Sequence, residues 1–430
     1  MGVQFLVYNN SLTKKLFILL FFSLALRLIS LNQSLWLDEA ISAQVVKNYS
    51  YTDIVSKFSP SDFHPPLFYL TLKDWTSVFG YSEIALRLPS VIFSLITIYL
   101  VYRFFGFGPS ILLALNPLYL YYSQEARMYS QVTLLVFCAF LAFKKHKLLL
   151  YYLFTFLSLS TFYGSVFFFA AISLYWLFQK KYKQFFIYSL APFLSLLILS
   201  PLLWLQYQTS KTLLVSVKNW ASVLGPVTAK NSLLILVKFT IGRISFYPKW
   251  AYYLIALLVT LPLWFKVIIN SFRSRPMAFI FWISLGVGMI FSLFTPMFQY
   301  FRFLYLIPFL CLILEKNKLY SFVFFIFSLL YLFNPSFHRE DWKTMSSTLP
   351  QDVYMIISAA DPINYYRPDI KVHNLSLEFP AASEITVLPY ISEIHGVDYV
   401  SRLSSLGYIQ KQVVSYTGPL TKEIWQKSTK

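Results

Sequence analysis

The sequence is short of charge, of acidic residues in particular, and of cysteine. Only 13% of its 430 residues are charged, against about a quarter in soluble domains, while 57% are hydrophobic. This balance excludes an ordinary soluble enzyme and indicates a chain that lies in lipid. Both cysteines fall inside apolar runs, so neither a disulfide framework nor a cysteine metal site is expected.

The excess of basic residues does not indicate a nucleic-acid partner. The formal net charge is +18, but the lysines stand in short clusters between apolar runs. Cytoplasmic loops of membrane proteins have this pattern. Aromatic residues reach 20%, more than interfacial belts require, so they must also fill the space between helices.

Long apolar runs predict about eleven transmembrane helices. The runs lie near residues 16–31, 88–105, 108–122, 128–143, 148–162, 164–179, 184–205, 250–269, 277–296, 302–315 and 319–336. Gly164 separates two of them, and we expect a tight turn there in which glycine relaxes the backbone. The first run has no cleavage site after it and is expected to stay as a span.

Residues 65–80 decide the orientation, because they are apolar enough to suggest a twelfth span. Lys73 and Asp74 lie in the middle of that segment, and each would cost about 2.5–3.5 kcal/mol at the bilayer centre. A helix lying in the interface is therefore predicted. The lysine and arginine clusters then share one side, which the positive-inside rule assigns to the cytoplasm. We expect a cytoplasmic (inner) membrane protein with its N-terminus inside.

Three polar regions should then face outward: residues 32–87, residues 206–249 and the tail from about residue 338. In the tail, β-prone runs at 353–358, 385–390 and 408–416 alternate with helix-like stretches. The sequence thus predicts a transmembrane catalytic domain over residues 1–337. A small extracytoplasmic α/β domain should follow over residues 338–430.

Five ionisable side chains fall at the outer membrane boundary in this topology. They are Asp38, Glu39, Glu125, Arg127 and Arg302. Charge is costly at a membrane boundary and is often functional there. The alternative is that these are ordinary charges at helix ends, either solvated or paired with one another.

Three further side chains have simpler interpretations. Glu83 and Arg87 are four residues apart on a predicted helix, a spacing typical of a structural ion pair. His64 precedes two prolines, and residues before proline avoid helical geometry. His64 could therefore shape the start of the interfacial helix or help to position a substrate.

The motifs that contain these residues resemble, in order, those of the GT-C-fold glycosyltransferases. The resemblance is to the family 39 branch that includes the protein O-mannosyltransferases and the lipid A aminoarabinose transferase. The motifs are Trp36-Leu-Asp38-Glu39, His64-Pro-Pro-Leu, Glu83-x3-Arg87-Leu-Pro-Ser, Gln124-Glu-Ala-Arg127-Met-Tyr129 and Arg302-Phe-Leu-Tyr. Each is weak alone, but five in order are specific. The resemblance covers roughly residues 14–345, including His338 to Trp342, which resembles the start of that family's outer domain.

The resemblance implies an inverting sugar transfer from a polyprenyl-phosphate donor to an extracytoplasmic lipid, glycan or protein hydroxyl. The sugar would be mannose-like or related. Asp38 matches the catalytic carboxylate and would act as general base, with Glu39 as its acidic partner. Arg127 and Arg302 would bind the donor phosphate.

The remaining motif residues would position the substrates. The resemblance assigns this role to Glu125, His64 and Tyr129, and Glu39 or Glu125 could instead hold the arginines. No cofactor is required. A divalent cation is possible but not indicated, because no cluster of histidine and cysteine has ligand spacing.

Two other functions stay open. A GT-C oligosaccharide transferase or polymerase would use a diphosphate donor, although the Trp-Trp-Asp tripeptide of oligosaccharyltransferases is absent. A lipid or sugar transporter would not be an enzyme at all. A transporter predicts charges or broken helices at the midplane and paired repeats, and the sequence shows neither clearly.

Overall fold

A computed structural model describes residues 10–219, 224–378 and 382–428. The chain divides into two compact units. Unit 1 comprises residues 1–31, 87–199 and 227–333, and unit 2 comprises residues 32–86, 200–226 and 334–430. These units differ from the catalytic and outer domains predicted from the sequence, whose boundary at residue 337 stays a prediction.

Helices dominate the described chain. In order they are α1 (Asn10–Leu28), α2 (Leu37–Asn48), α3 (Tyr51–Asp53), α4 (Leu67–Phe79), α5 (Glu83–Phe105), α6 (Phe107–Leu115), α7 (Pro117–Ser123), α8 (Tyr129–Lys144), α9 (Leu148–Thr161), α10 (Val166–Phe178), α11 (Tyr182–Ser216), α12 (Ala229–Ile241), α13 (Lys249–Ser271), α14 (Arg275–Phe291), α15 (Ile307–Leu314), α16 (Lys318–Phe333), α17 (Trp342–Ser347), α18 (Asp361–Tyr366), α19 (Ser392–His395) and α20 (Tyr399–Ser405). A π-helical turn, Ile54–Phe58, follows α3, and a 3₁₀ segment, Tyr300–Leu306, precedes α15.

Among the described residues, three helices are long and apolar enough to cross a membrane. They are α5, α11 and α13. Shorter apolar helices accompany them, including α8, α9, α14 and α16. These helices identify an integral membrane protein. The count of about eleven spans, the orientation and the inner membrane stay predictions.

The predicted run at 108–122 is two helices rather than one. Pro117 disfavours helical geometry at Asn116, so α6 ends there and α7 begins with proline in its first turn. The Asn116 side chain accepts a hydrogen bond from the Tyr119 amide at 2.9 Å and donates to the Phe239 carbonyl at 3.0 Å. The side chain therefore caps α7 and holds it against α12.

The turn between α9 and α10 confirms the predicted connection but not the predicted reason for its glycine. The turn is a short 3₁₀ segment, Tyr163–Ser165. A Cβ at Gly164 would collide with the ring of Phe162. Glycine is required because an aromatic ring packs against the backbone, and the Tyr305 hydroxyl also donates to the Gly164 carbonyl at 2.9 Å.

In unit 2, α4 lies within residues 65–80, the segment on which the predicted orientation depends. Its 13 residues extend about 20 Å, too short for a hydrocarbon core of about 30 Å. Lys73 donates to the Val46 carbonyl at 3.0 Å, and Asp74 accepts from the Tyr51 hydroxyl at 2.7 Å. Both charges have partners within unit 2, as expected for a helix that does not span. Its place in the interface stays a prediction.

The tail of unit 2 contains a five-stranded sheet. The strands are β1 (Asp352–Met355), β2 (Lys371–Asn374), β3 (Glu384–Leu388), β4 (Tyr408–Ser415) and β5 (Thr421–Lys427). Their order is β2-β1-β3-β5-β4, with β1 parallel to β2 and β3, and β5 antiparallel to β3 and β4. Trp342, Val353, Met355, Ile363 and Leu388 form its core with α17 and α18.

The predicted α/β tail is thus confirmed, but two of its strands were missed. β1, β3 and β4 coincide with the expected β-prone runs. β2 and β5 are rich in lysine and polar residues and lack the alternating apolar pattern that identifies a strand in a sequence. Hydrogen bonding to the neighbouring strands of the sheet stabilises their extended backbone.

His373 joins the edge strand β2 to two carboxylates. Its Nε2 lies 2.7 Å from Asp352 Oδ1, and its Nδ1 lies 2.6 Å from Glu378 Oε2. The ring stacks on Tyr354 with centroids 4.8 Å apart. Hydrogen bonds to Asp352 and then Glu378 raise the pKa of His373 above its ordinary value.

This pKa shift predicts a dependence of stability on pH. Because the pKa is raised by folding, the stabilisation is complete below the unfolded pKa of about 6.5 and is lost as the pH rises through the folded pKa. His373→Gln should therefore cost about 0.5–1 kcal/mol at pH 6 and almost nothing at pH 9, since both partner carboxylates are largely exposed. Thermal unfolding of the full-length protein across that range measures the difference. Parallel curves for wild type and variant would contradict it.

Candidate functional site

The side chains singled out by the sequence divide between the units. Asp38, Glu39, His64 and Glu83 belong to unit 2, and Arg87, Glu125, Arg127, Tyr129 and Arg302 belong to unit 1.

In unit 2, Asp38 and Glu39 lie in the first turn of α2. Carboxylates are favourable there because the unpaired amides of a helix N-terminus carry partial positive charge. Their surroundings differ, since Asp38 is half-buried and Glu39 is fully buried. Asp38 is therefore partly accessible to solvent, whereas Glu39 faces protein.

Arg339 explains how Glu39 can be buried with its charge. Arg339 Nε lies 3.4 Å from Glu39 Oε2, and the two side chains are only 1% and 0% exposed. The Arg339 amide also donates to the Gln33 side chain at 3.3 Å. The sequence had indicated only that residues 338–342 begin the outer domain, and it missed Arg339 as the partner of Glu39. The signal that could have identified Arg339 is its positive charge, because a buried carboxylate such as Glu39 requires a cation as its partner.

Glu340 and Tyr390 also lie beside α2. The Tyr390 hydroxyl donates to both oxygens of Glu340, at 2.8 and 2.9 Å, and Trp342 Nε1 donates to Glu340 at 2.9 Å. Burial first, then Glu340 and Asp38, raise the pKa of Tyr390. Tyr390 therefore keeps its proton, and its hydroxyl remains a hydrogen-bond donor to Glu340.

His64 is oriented by residues that the motif does not contain. Its Nδ1 lies 3.2 Å from Asp62 Oδ1, while the Tyr69 hydroxyl donates to the other oxygen of Asp62 at 2.8 Å. Gln206 donates to the His64 carbonyl at 3.1 Å. These contacts hold the chain just before α4, and a role for His64 towards substrate stays a prediction.

Glu83 and Arg87 each have a partner within their own unit. In unit 2, Glu83 Oε1 accepts from Lys343 Nζ at 2.8 Å. In unit 1, the buried Arg87 donates to the Leu31 carbonyl at 2.8 Å. Both contacts are structural, and the predicted pairing of Glu83 with Arg87 stays a prediction.

In unit 1, the loop between α7 and α8 holds Glu125 and Arg127 in a buried position. Gln124 donates to the Arg27 and Ile29 carbonyls, at 2.9 and 2.7 Å, and so caps the end of α1. Ser90 on α5 donates to the Glu125 carbonyl at 2.6 Å. The loop backbone is thus fixed from two sides, which gives Glu125 and Arg127 a rigid base.

Aromatic contacts bring Tyr129 and Arg302 to one part of unit 1. The Tyr129 ring lies 4.8 Å from Tyr122 and 5.9 Å from Phe301. The Arg302 guanidinium carbon lies 5.8 Å from the same Phe301 ring. The start of α8 and the 3₁₀ segment before α15 therefore place both motif residues close to the Phe301 ring.

Arg243, which the sequence did not single out, joins this part of unit 1. It donates to the Tyr121 hydroxyl at 2.7 Å, and its guanidinium carbon lies 4.7 Å from the centroid of the Tyr121 ring. Burial, then Arg243 and Lys249, lower the pKa of Lys238 to about 8. We refer to Lys238, Arg243 and Lys249 as the basic cluster.

A signal for this basic cluster was present in the sequence. Residues 238–249 contain three cations and no acidic residue, in a region expected to face outward. Basic residues are scarce in outer loops, so such a cluster is an exception that suggests an anionic ligand. No comparable cluster of metal ligands is found among the described residues, where no three His, Cys, Asp or Glu side chains come together.

Comparison with known proteins identifies the fold. No protein-family model and no curated protein matches the sequence. Two crystal structures of ArnT from Cupriavidus metallidurans do match the structure. The apo form has 10% identity and a TM-score of 0.55 over 96% of this chain and 98% of ArnT. The form bound to undecaprenyl phosphate has 11% identity and a TM-score of 0.53 over 97% of each chain.

The fold is that of ArnT. This likeness confirms the GT-C fold predicted from the motifs, with its apolar helices and a small C-terminal sheet domain. At such low identity the likeness concerns the fold alone, so the family 39 branch stays a prediction.

The buried ion pair in unit 2 leads to a stability prediction. Arg339→Met should lower the unfolding temperature markedly, because removing one partner of a buried ion pair costs about 3–5 kcal/mol. The double variant Glu39→Gln with Arg339→Met should recover much of the loss. Thermal unfolding of purified protein measures both.

Lys343→Met is the matched control, since Lys343 is 57% exposed and its pair with Glu83 should contribute about 1 kcal/mol or less. Equal unfolding temperatures for Arg339→Met and Lys343→Met would show that Glu39 does not depend on Arg339.

Proposed function

We propose that the protein is a membrane glycosyltransferase of the polyprenyl-phosphate-dependent kind. It transfers a sugar to an extracytoplasmic hydroxyl with inversion at the anomeric carbon. One observation carries the proposal: the likeness to ArnT extends over nearly the whole of both chains, and one ArnT structure holds undecaprenyl phosphate. The five ordered motifs support the same conclusion from the sequence.

Asp38 is the general base in this proposal. It accepts the proton of the acceptor hydroxyl as that oxygen bonds to the anomeric carbon. The bond from the anomeric carbon to the phosphate oxygen breaks, and its electron pair leaves with the phosphate. A single displacement without a covalent intermediate inverts the anomeric centre. The half-buried position of Asp38 supports this role.

Glu39 takes a positioning role rather than a proton-transfer role. Its carboxylate is fully buried and paired with Arg339, so taking up a proton would weaken a buried ion pair, which is costly. The pair holds the first turn of α2, and with it the backbone of Asp38. The sequence had grouped both carboxylates as catalytic, and their different burial supports separating their roles.

The donor phosphate requires positive charge more than it requires a proton, because phosphate is already a stable leaving group. Arg127 and Arg302 supply that charge through charge-assisted hydrogen bonds. Arg243 joins them in unit 1, where Tyr121 orients its guanidinium. Glu125 and Tyr129 lie beside these cations and position them, and His64 serves the acceptor.

Asp38→Asn tests the base. The variant keeps the side-chain volume and removes the basic carboxylate, so turnover should fall by about 10²–10⁴-fold while donor affinity stays nearly unchanged. Purified protein assayed with polyprenyl-phosphate sugars measures both quantities. Asp74→Asn is a matched control on α4. The Asp74 side chain accepts from the Tyr51 hydroxyl and has no proposed role in the reaction, so the variant should leave turnover unchanged. Full activity of a folded Asp38→Asn protein would transfer the role to Glu39 or Glu125.

Arg127→Ala should behave differently. Its guanidinium is proposed to contact the phosphate both before and during the reaction, so its loss should weaken donor binding and also slow turnover. Arg127→Lys should restore activity only in part, since a point charge cannot replace the planar fork of arginine. Arg273→Ala, an exposed arginine between α13 and α14, is the control.

Donor affinity and turnover from the same assays decide the outcome. Unchanged donor affinity in Arg127→Ala would remove Arg127 from the phosphate site. Failure of the wild-type protein to bind any polyprenyl-phosphate sugar would contradict the proposed function itself.

A further inference from the structure

Unit 2 has an open cavity of about 720 Å³ beside α2 that the proposed mechanism does not use. Its walls are α2, the π-helical turn that follows α3, and α18. The polar lining consists of Gln44, Lys47, Asn48, Asp361 and Asn364. The volume lies within the range of small-molecule sites, about 300–1,000 Å³.

The cavity lies along the same face of α2 as the proposed base. Residues 38, 41, 45 and 48 recur at the spacing that aligns side chains along one side of a helix, and Ile41, Val45 and Asn48 line the cavity. Ten residues separate Asp38 from Asn48, which is about 15 Å along the axis. A ligand extending from Asp38 along α2 therefore enters the cavity.

The polar lining is suited to a ligand rich in hydroxyl groups. Three carboxamides offer both donors and acceptors, the Asp361 carboxylate offers acceptors, and the Lys47 ammonium offers donors. Asn48 Nδ2 donates to Gln44 Oε1 at 2.9 Å, which aligns those two amides. Lys47 and Asp361 form no ion pair with other described residues, so both can bind a ligand. Burial raises the pKa of Asp361, as expected for a carboxylate in a partly enclosed site.

Two aromatic rings complete the lining. Tyr49 is 37% exposed, and its ring lies 6.0 Å from Phe58, which packs edge-on against Tyr69. Exposed aromatic rings offer flat apolar faces, against which the C–H face of a sugar ring can stack. A lipid chain does not fit this lining, because it would cover five polar side chains without replacing their hydrogen bonds to water.

We propose that this cavity is a saccharide subsite, which binds sugar residues of a glycan acceptor beyond the one that reacts at Asp38. The inference rests on the proposed function for its choice of acceptor. It narrows the acceptor in that function to a glycan, rather than a simple lipid or a protein hydroxyl.

Saturation-transfer NMR on the full-length protein tests the subsite. The probes are cellobiose, maltose, mannobiose and chitobiose, and the protein is kept in a detergent without a sugar headgroup so that the detergent does not compete. At least one disaccharide should bind to the wild type. Asn48→Ala and Asn364→Ala should each weaken its binding by about tenfold, because each removes hydrogen bonds to the sugar.

Two control variants separate the subsite from general damage and from catalysis. Gln412→Ala changes an exposed amide on β4 and should leave disaccharide binding unchanged. Asp38→Asn should also bind the disaccharide as the wild type does, although its turnover falls. Both asparagines in the cavity are exposed, so these variants should fold, and their unfolding temperatures check that they do.

The experiments can refute the saccharide subsite and the proposed function independently of each other. If no disaccharide binds while sugar is transferred from the donor, the subsite is refuted and the function stands. If the cavity variants bind the disaccharide like wild type, the subsite is likewise refuted. If binding depends on the cavity but no polyprenyl-phosphate sugar is turned over, the saccharide site is supported and the proposed function fails.

Discussion

The ion pair between Glu39 and Arg339 is the interaction on which the rest of unit 2 depends. It joins the first turn of α2 to the start of the tail, two segments far apart in the sequence, and both side chains are shielded from water. Breaking such a pair leaves a buried charge uncompensated. The backbone that carries Asp38 is therefore held by the same contact that anchors the tail. Tyr390 and Glu340 lie in that tail, where the Tyr390 hydroxyl donates to Glu340.

Unit 1 also contains a buried charge that needs partners, although this unit has fewer acidic groups. Arg27 is fully buried on α1 and donates to the Ser94 hydroxyl and to the Ser23 and Ala114 carbonyls. Backbone carbonyls near the end of a helix are natural partners for a cation. Arg27 thus stabilises the end of α6, close to the break at Asn116. That break, and the Gln124 contacts to the end of α1, set the course of the loop that carries Arg127.

Many features were predictable because they depend on composition and local spacing. The lack of charge predicted the membrane class. Lys73 and Asp74 argued against a span at residues 65–80, and both have partners within unit 2. The ordered motifs predicted the GT-C fold, which the likeness to ArnT confirms. The break at Asn116, the strands β2 and β5, and the basic cluster around Arg243 were missed. Pro117 and the three cations of residues 238–249 were local signals that went unused. β2 and β5 had no such signal, because their extended backbone depends on their neighbours in the sheet.

The sequence by itself determined that the chain inserts in a membrane, where its apolar helices lie and which motif residues are candidates for chemistry, because hydrophobic runs and short motifs are local properties. The tertiary structure alone decided which carboxylate is buried and which is accessible. Asp38 and Glu39 are neighbours in the chain and equivalent in charge, yet Glu39 is paired with Arg339 while Asp38 remains half-exposed. Burial and charge pairing depend on contacts between distant segments, and these contacts exist only in the folded chain.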